Sequence, residues 1–287
     1  MRIGDCPEVS CPEVSSLART FSAARVLLGH YAGATVRSRR FLYMLFLLCV
    51  PLAPVVLVRI VSYLQPGAAL WRTEALRFFD ILASYGYLNF MVVLIALFWA
   101  TPLYSEELSS GAARFLFLCP VPRAALPPAK FLAYSFVSSI LAGVSLFAAY
   151  YLLGSGPAYP MWRENLPVFF IDWGLIALAL AAYGAFFSLL GLLVKRPLLW
   201  GLLFAFIWDT GANVLPGSTH YLTLRHYFRS LFPNYYGSEN MFPLLVTERP
   251  LSAHVTCYVV LAAFIVVSLL WAGRRLSRMD VVVGGEE

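Results

Sequence analysis

Charge is scarce in this sequence. Only 13% of its 287 residues are Asp, Glu, Lys or Arg, about half of the roughly 25% that soluble domains carry, which excludes water as the solvent for most of the chain. No G-x-x-x-x-G-K-[ST] occurs, so no P-loop is available to wrap nucleotide phosphates. The four histidines, His30, His220, His226 and His254, never fall at the H-E-x-x-H spacing that puts two zinc ligands on one helical face, and there is no G-x-S-x-G elbow. Cysteines are few: Cys6 and Cys11 near the N-terminus, Cys49 and Cys257 in apolar runs, Cys119 in a loop. Disulfides persist on the oxidising side of a membrane, and no two of these residues meet there in the topology below. No disulfide, resident metal or cofactor is expected.

What the sequence has instead is apolar length. Hydrophobic residues make up 60% of it, and its mean hydropathy is +0.74. Hydrocarbon offers the backbone no water, so each crossing must be a helix that satisfies its own N–H and C=O groups over about 20 residues. Six runs bounded by charge or by Pro and Gly meet this need: Phe41 to Leu64, Tyr87 to Tyr104, Lys130 to Leu153, Phe170 to Val194, Leu198 to Val214, and His254 to Ala272. They predict an all-α polytopic membrane helical bundle of about six transmembrane helices. The fifth run is short and follows the fourth after only Lys195-Arg196-Pro197, which reads as a helical hairpin.

Lys and Arg are retained on the cytoplasmic side during insertion. Fourteen of the 21 lie before the first run, between the second and third, between the fourth and fifth, and after the sixth; six lie in the opposite loops, and Arg59 is inside the first run. Both termini are therefore expected in the cytoplasm. This asymmetry accounts for a pI near 9.1, and no nucleic acid is expected as a partner. Ser38-Arg39-Arg40-Phe41-Leu42 has the pattern of a twin-arginine export signal, but the apolar run after it exceeds a signal core and five more follow, so the arginines are expected to hold the first helix in place. Residues 1–15, with a tandem Cys-Pro-Glu-Val-Ser, are expected to form a disordered cytoplasmic tail. The transmembrane domain then covers 41–280, with 281–287 a second tail.

Three segments outside the runs carry pattern. In 16–40, Leu17, Phe21, Ala24, Leu28 and Tyr31 recur at spacings of four and three, which predicts an amphipathic helix on the cytoplasmic leaflet, its arginines meeting lipid headgroups. From Ser105 to Leu118, an N-cap serine is followed by Glu106 and Glu107 in the first turn, where they suit the positive helix end. This predicts a short cytoplasmic helix stopped by Pro120-Val121-Pro122; its charge suits either docking to a soluble partner or simple solvation. In the external loop 215–252, Leu224, Phe228, Leu231 and Phe232 share a face away from Arg225 and Arg229, which predicts a short interfacial or re-entrant helix.

Ionisable groups inside a membrane are functional candidates by default. Arg59 and Asp172 sit near run ends, where a side chain reaches water cheaply, which leaves Asp209, beside Trp208, as the candidate. Glu106-Glu107 followed by Arg114 has the outline of the E-E-x-x-x-R motif of intramembrane CAAX-type proteases. Arg114 is seven residues past Glu107, however, where that motif has four, and no helix supplies matching histidines.

Several stretches together resemble the ABC type-2 transporter permease family: Tyr104-Ser105-Glu106-Glu107, Gly111, Arg114, Cys119-Pro120-Val121-Pro122-Arg123 and Lys130, then Trp208-Asp209, Leu215-Pro216-Gly217 and Leu222-Thr223-Leu224-Arg225-His226-Tyr227, and the basic ending Trp271 to Asp280. Ala112 stands where Thr is usual, Ala129 where Gly is usual and Asp209 where Glu is usual. The resemblance implies a non-catalytic permease subunit of an exporter in the plasma membrane. It further implies pairing with a second permease half, either a second copy or a similar chain, and docking on a separate ABC ATPase subunit. By the same resemblance, Glu106, Glu107, Gly111, Arg114, Arg123 and Lys130 would form the ATPase-coupling region, and Trp208, Asp209 and His226 the translocation path or external gate. A membrane anchor without transport, and the intramembrane protease, are the rival readings.

Overall fold

The computed structural model describes residues 29, 33, 37, 39–64, 77–104, 126–156, 159–160, 166–208, 221–232 and 252–277. In chain order its helices are α1 Arg39–Cys49, α2 Leu52–Leu64, α3 Arg77–Tyr104, α4 Leu126–Gly154, α5 Leu166–Leu193, α6 Pro197–Trp208, α7 Leu224–Leu231 and α8 His254–Ser277. Among the described residues, five stretches are long and apolar enough to cross a membrane: 41–61 (α1 with α2), α3, α4, α5 and α8. The chain is thus an all-α polytopic bundle. A two-residue antiparallel ribbon, Ser155–Gly156 against Tyr159–Pro160, joins α4 to α5.

A helix apolar on every side needs cover all round, and α5 obtains it from protein. Its most apolar window is 72% buried, against 61% for α3, 44% for α4 and 22% for both 41–61 and α8. The centre of the bundle is therefore α5, with α3 and α4 against it and α1, α2 and α8 presenting apolar faces outward. Gly191 allows one of these contacts, since a Cβ there would collide with the backbone carbonyl oxygen of Thr101 on α3.

The first run is two helices, not one. Pro51 has no N–H to give and its ring crowds the preceding turn. The chain tightens there, with Val50 N–H donating to the Leu47 carbonyl at 3.2 Å and Ala53 N–H to that of Val50 at 3.2 Å. The Leu48 carbonyl accepts from Ser145 Oγ of α4 at 2.7 Å, and Ser145 Oγ meets the Tyr87 hydroxyl of α3 at 2.6 Å. One serine thus links three elements.

The second helix reaches back at least to Arg77, where its described residues begin, ten residues before the expected Tyr87; Asp80 and Gly86 look like boundaries in sequence but both are absorbed into α3. Much of α3 is wound as π-helix, at Leu82–Met91 and Ala96–Ala100, with Val92 N–H donating to Tyr87 C=O. Buried Ala83, Leu88, Val92, Leu97 and Thr101 consequently recur at spacings of five and four. The hairpin at Lys195-Arg196-Pro197 forms as expected, with Pro197 at the first turn of α6, where its missing N–H costs nothing. Phe186 and Phe204 pack at 4.3 Å across it. At about 1.5 Å per residue, the 12 residues of α6 reach only part of the way across a bilayer, and 209–214, expected to complete that span, lie outside the described residues. Of the amphipathic helix expected over 16–40, Gly29, Gly33 and Arg37 are helical and exposed, as are the backbones of Arg39 and Arg40 helical; most of the rest lies outside the described residues, as do both tails.

Candidate functional site

At the end of the bundle that carries Lys195 and Arg196, two helices are fastened on either side of residues 105–125. Tyr104 closes α3 and is 2% exposed; Lys130 opens α4 and is 3% exposed. The Lys130 ammonium lies 5.5 Å from the centre of the Tyr104 ring, a distance at which the negative ring face attracts a cation. The Tyr104 hydroxyl donates to the Pro127 carbonyl at 3.0 Å. Tyr104 also packs with Leu189 and Leu192 of α5 and with Ala272 and Leu276 of α8. The ends of α3, α4, α5 and α8 therefore meet at Tyr104 and Lys130, the described residues on either side of 105–125 in sequence. Glu106, Glu107, Gly111, Arg114 and Arg123 lie outside the described residues, so of the expected coupling residues the structure places Lys130 alone.

The second feature is α7. Its Leu224, Phe228 and Leu231 form the apolar face expected from their spacing, and all three are buried, with Phe232 after them. Phe228 stacks on Tyr183 of α5 with ring centres 6.2 Å apart. Tyr183 is roughly 25 Å along α5 from Leu166 at 1.5 Å per residue, so α7 packs into the bundle and does not lie on its rim. Arg225 Nε donates to Asn89 Oδ1 of α3 at 2.7 Å. His226, 3% exposed, shares a hydrogen bond with Ser252 Oγ at 3.0 Å, and Ser230 Oγ donates to the His226 carbonyl at 3.1 Å while accepting the Ser252 N–H at 3.1 Å. The Tyr227 hydroxyl donates to the Tyr221 carbonyl at 2.8 Å, and burial pushes that phenol above its ordinary pKa. A short helix is thereby tied to α3, to α5 and to the residues leading into α8.

Of the residues expected at an external gate, His226 belongs to this network and Trp208 ends α6 with 43% of its surface exposed. Asp209 lies outside the described residues. One participant, Asn89, has no signal in the sequence, and Asp172, outside this network, differs from expectation. Asn89 is an ordinary polar residue in an apolar run, and only its distant partner Arg225 gives it meaning. Asp172 was placed near a run end where its carboxylate could reach water, yet it is 3% exposed. The correction follows from the helix starting at Leu166, four residues earlier than expected, which carries Asp172 into the second turn. The signal was present: Phe169, Asp172, Ile176, Ala179, Tyr183 and Phe187 recur at three and four, and all are buried on one face.

Neither a protein-family model nor a curated protein sequence matches this chain.

Proposed function

We propose that this chain is the permease subunit of an ATP-driven exporter, seated in the plasma membrane with both termini cytoplasmic and working with a second permease half. The observation that carries the reading is the clasp between Tyr104 and Lys130, which flank residues 105–125 in sequence. That stretch holds the Glu106 to Leu118 motif of the permease resemblance; its Tyr104 flank packs on α5 and α8, and the start of α4 is held to Tyr104 through Pro127 and Lys130. A soluble partner pressing on 105–125 would displace the ends of α3 and α4 together, and α3 would pass that displacement to α7 through Asn89 and Arg225. Because the chain has no P-loop, the ATP-driven force must come from the partner, an ABC ATPase. Cargo would be hydrophobic or amphipathic, in keeping with spans rich in aromatic and small residues.

The test is purification of the intact chain from native membranes in mild detergent, with identification of what accompanies it. A P-loop ATPase is expected with the native chain and is expected to be lost from Glu106→Ala/Glu107→Ala. Absence of any ATPase would put the membrane-anchor reading in its place. ATP hydrolysis by the chain alone would overturn a non-catalytic permease outright.

A further inference from the structure

Asp172 is the carboxylate that the bundle buries most deeply among the described residues. It stands on the inward face of α5 with Phe169 and Ile176, and no hydrogen-bond donor among the described residues satisfies it. A charged side chain in a membrane helix costs about 2.5–3.5 kcal/mol on insertion scales, and among the described residues Asp172 has no compensating partner of the kind buried charges ordinarily have. Phe79 of α3 and Phe169 of α5 both pack on Tyr150 of α4, so the two helices come together at the end of the bundle where Asp172 is buried.

The surroundings are aromatic. Phe79, next to Asp80, meets Tyr150 of α4 at 5.2 Å, and Tyr150 meets Phe169 of α5 at 5.6 Å. Phe169 in turn stacks on Trp173 at 6.4 Å. Aromatic faces attract cations, most strongly when water is excluded, and a carboxylate supplies the matching charge. Proton or small-ion relays need a row of polar groups, whereas the buried neighbours of Asp172 on its own face of α5 are Phe169 and Ile176. An organic cation satisfies both the carboxylate and the rings.

We infer that Asp172, with the Phe79, Tyr150, Phe169 and Trp173 rings, forms a site for the ammonium group of an amphipathic molecule. This rests on the permease reading and gives its cargo a charge. The ammonium belongs either to a membrane lipid headgroup or to a free cationic amphiphile, which share this chemistry.

The experiment uses the full chain in nanodiscs of phosphatidylglycerol, with empty discs subtracted. Two fluorescent amphiphiles of one shape serve as probes, one ending in trimethylammonium and the other in its neutral 3,3-dimethylbutyl isostere. The native chain is expected to bind the cation at least about tenfold more tightly, Asp172→Glu to keep that preference, and Asp172→Asn to bind both probes as weakly as the native chain binds the neutral one. Competition by added phosphatidylcholine would assign the site to a lipid headgroup, and lack of competition to a free amphiphile. Equal binding of both probes by the native chain overturns the inference whether or not any variant folds, as does an unchanged preference in Asp172→Asn. Loss of the charge preference while the ATPase still accompanies the chain would remove the cargo assignment alone. An intact preference with no ATPase would remove the permease reading alone.

Discussion

Ser145 holds two polar groups that the bundle interior would otherwise leave bare. Its hydroxyl has one hydrogen, which goes to the Leu48 carbonyl at 2.7 Å, so in the 2.6 Å contact with Tyr87 the phenol must be the donor. The Leu48 carbonyl is in need because Pro51 interrupts the helix after α1, and an orphaned acceptor in a dry interior costs about 1–3 kcal/mol. Ser145→Ala removes the donor to Leu48 and the acceptor for Tyr87 in one step and is expected to destabilise the protein by about 2–4 kcal/mol, two such losses partly relaxed. Tyr87→Phe leaves Ser145 bonded to Leu48 and is expected to cost about 1 kcal/mol. Thermal unfolding in detergent micelles would order the two variants, and a Tyr87→Phe loss equal to or larger than that of Ser145→Ala would contradict this assignment of donors.

Among the elements, α7 is the one held by few bonds of high individual weight. Eight residues cannot form a stable helix alone, so its helicity depends on Phe228 against Tyr183 and on the Arg225 to Asn89 bond. Beneath it sits Cys257, fully buried, a free thiol beside Ser230 with its Sγ 4.0 Å from the Ser252 carbonyl. Hydrogen bonds to charged groups contribute about 1.5–3 kcal/mol, equivalent to roughly ten- to hundredfold in an opening equilibrium. Arg225→Met keeps the bulk of the side chain and removes the donor. With the other four cysteines changed to Ser, the variant is expected to label with maleimide at Cys257 at least about tenfold faster than the parent. An unchanged rate would mean that the apolar face and the Ser252 hydrogen bonds hold α7 down and that α3 does not act on it through Asn89.

At the scale of the whole molecule, apolar length and turn chemistry were legible and inter-helix pairing was not. The α5 to α6 hairpin could be read from Lys195-Arg196-Pro197 because a proline at a helix start is a local event, and the apolar face of α7 could be read because its spacing is local too. The extension of α3 through Gly86 and Asp80 to at least Arg77 could not, since these residues mark an end only when a helix is considered alone; α4 and α5 beside them make the longer helix tolerable. Asp172 is misplaced for a different reason: its helix starts at Leu166, and its place on the buried stripe with Phe169, Ile176 and Tyr183 is a local spacing that the sequence does carry. Whether the bundle sits as its charges direct is a separate question, and one that labelling answers. Lys195 and Tyr221 are both exposed, and the Lys and Arg asymmetry puts the first in the cytoplasm and the second outside. On a cysteine-free background, Lys195→Cys is expected to react with a membrane-impermeant maleimide only in inverted vesicles, and Tyr221→Cys only in intact cells. The reverse pattern would place 105–125 outside the cell, beyond the reach of any cytoplasmic ATPase, and the clasp of Tyr104 and Lys130 would then need a different partner altogether.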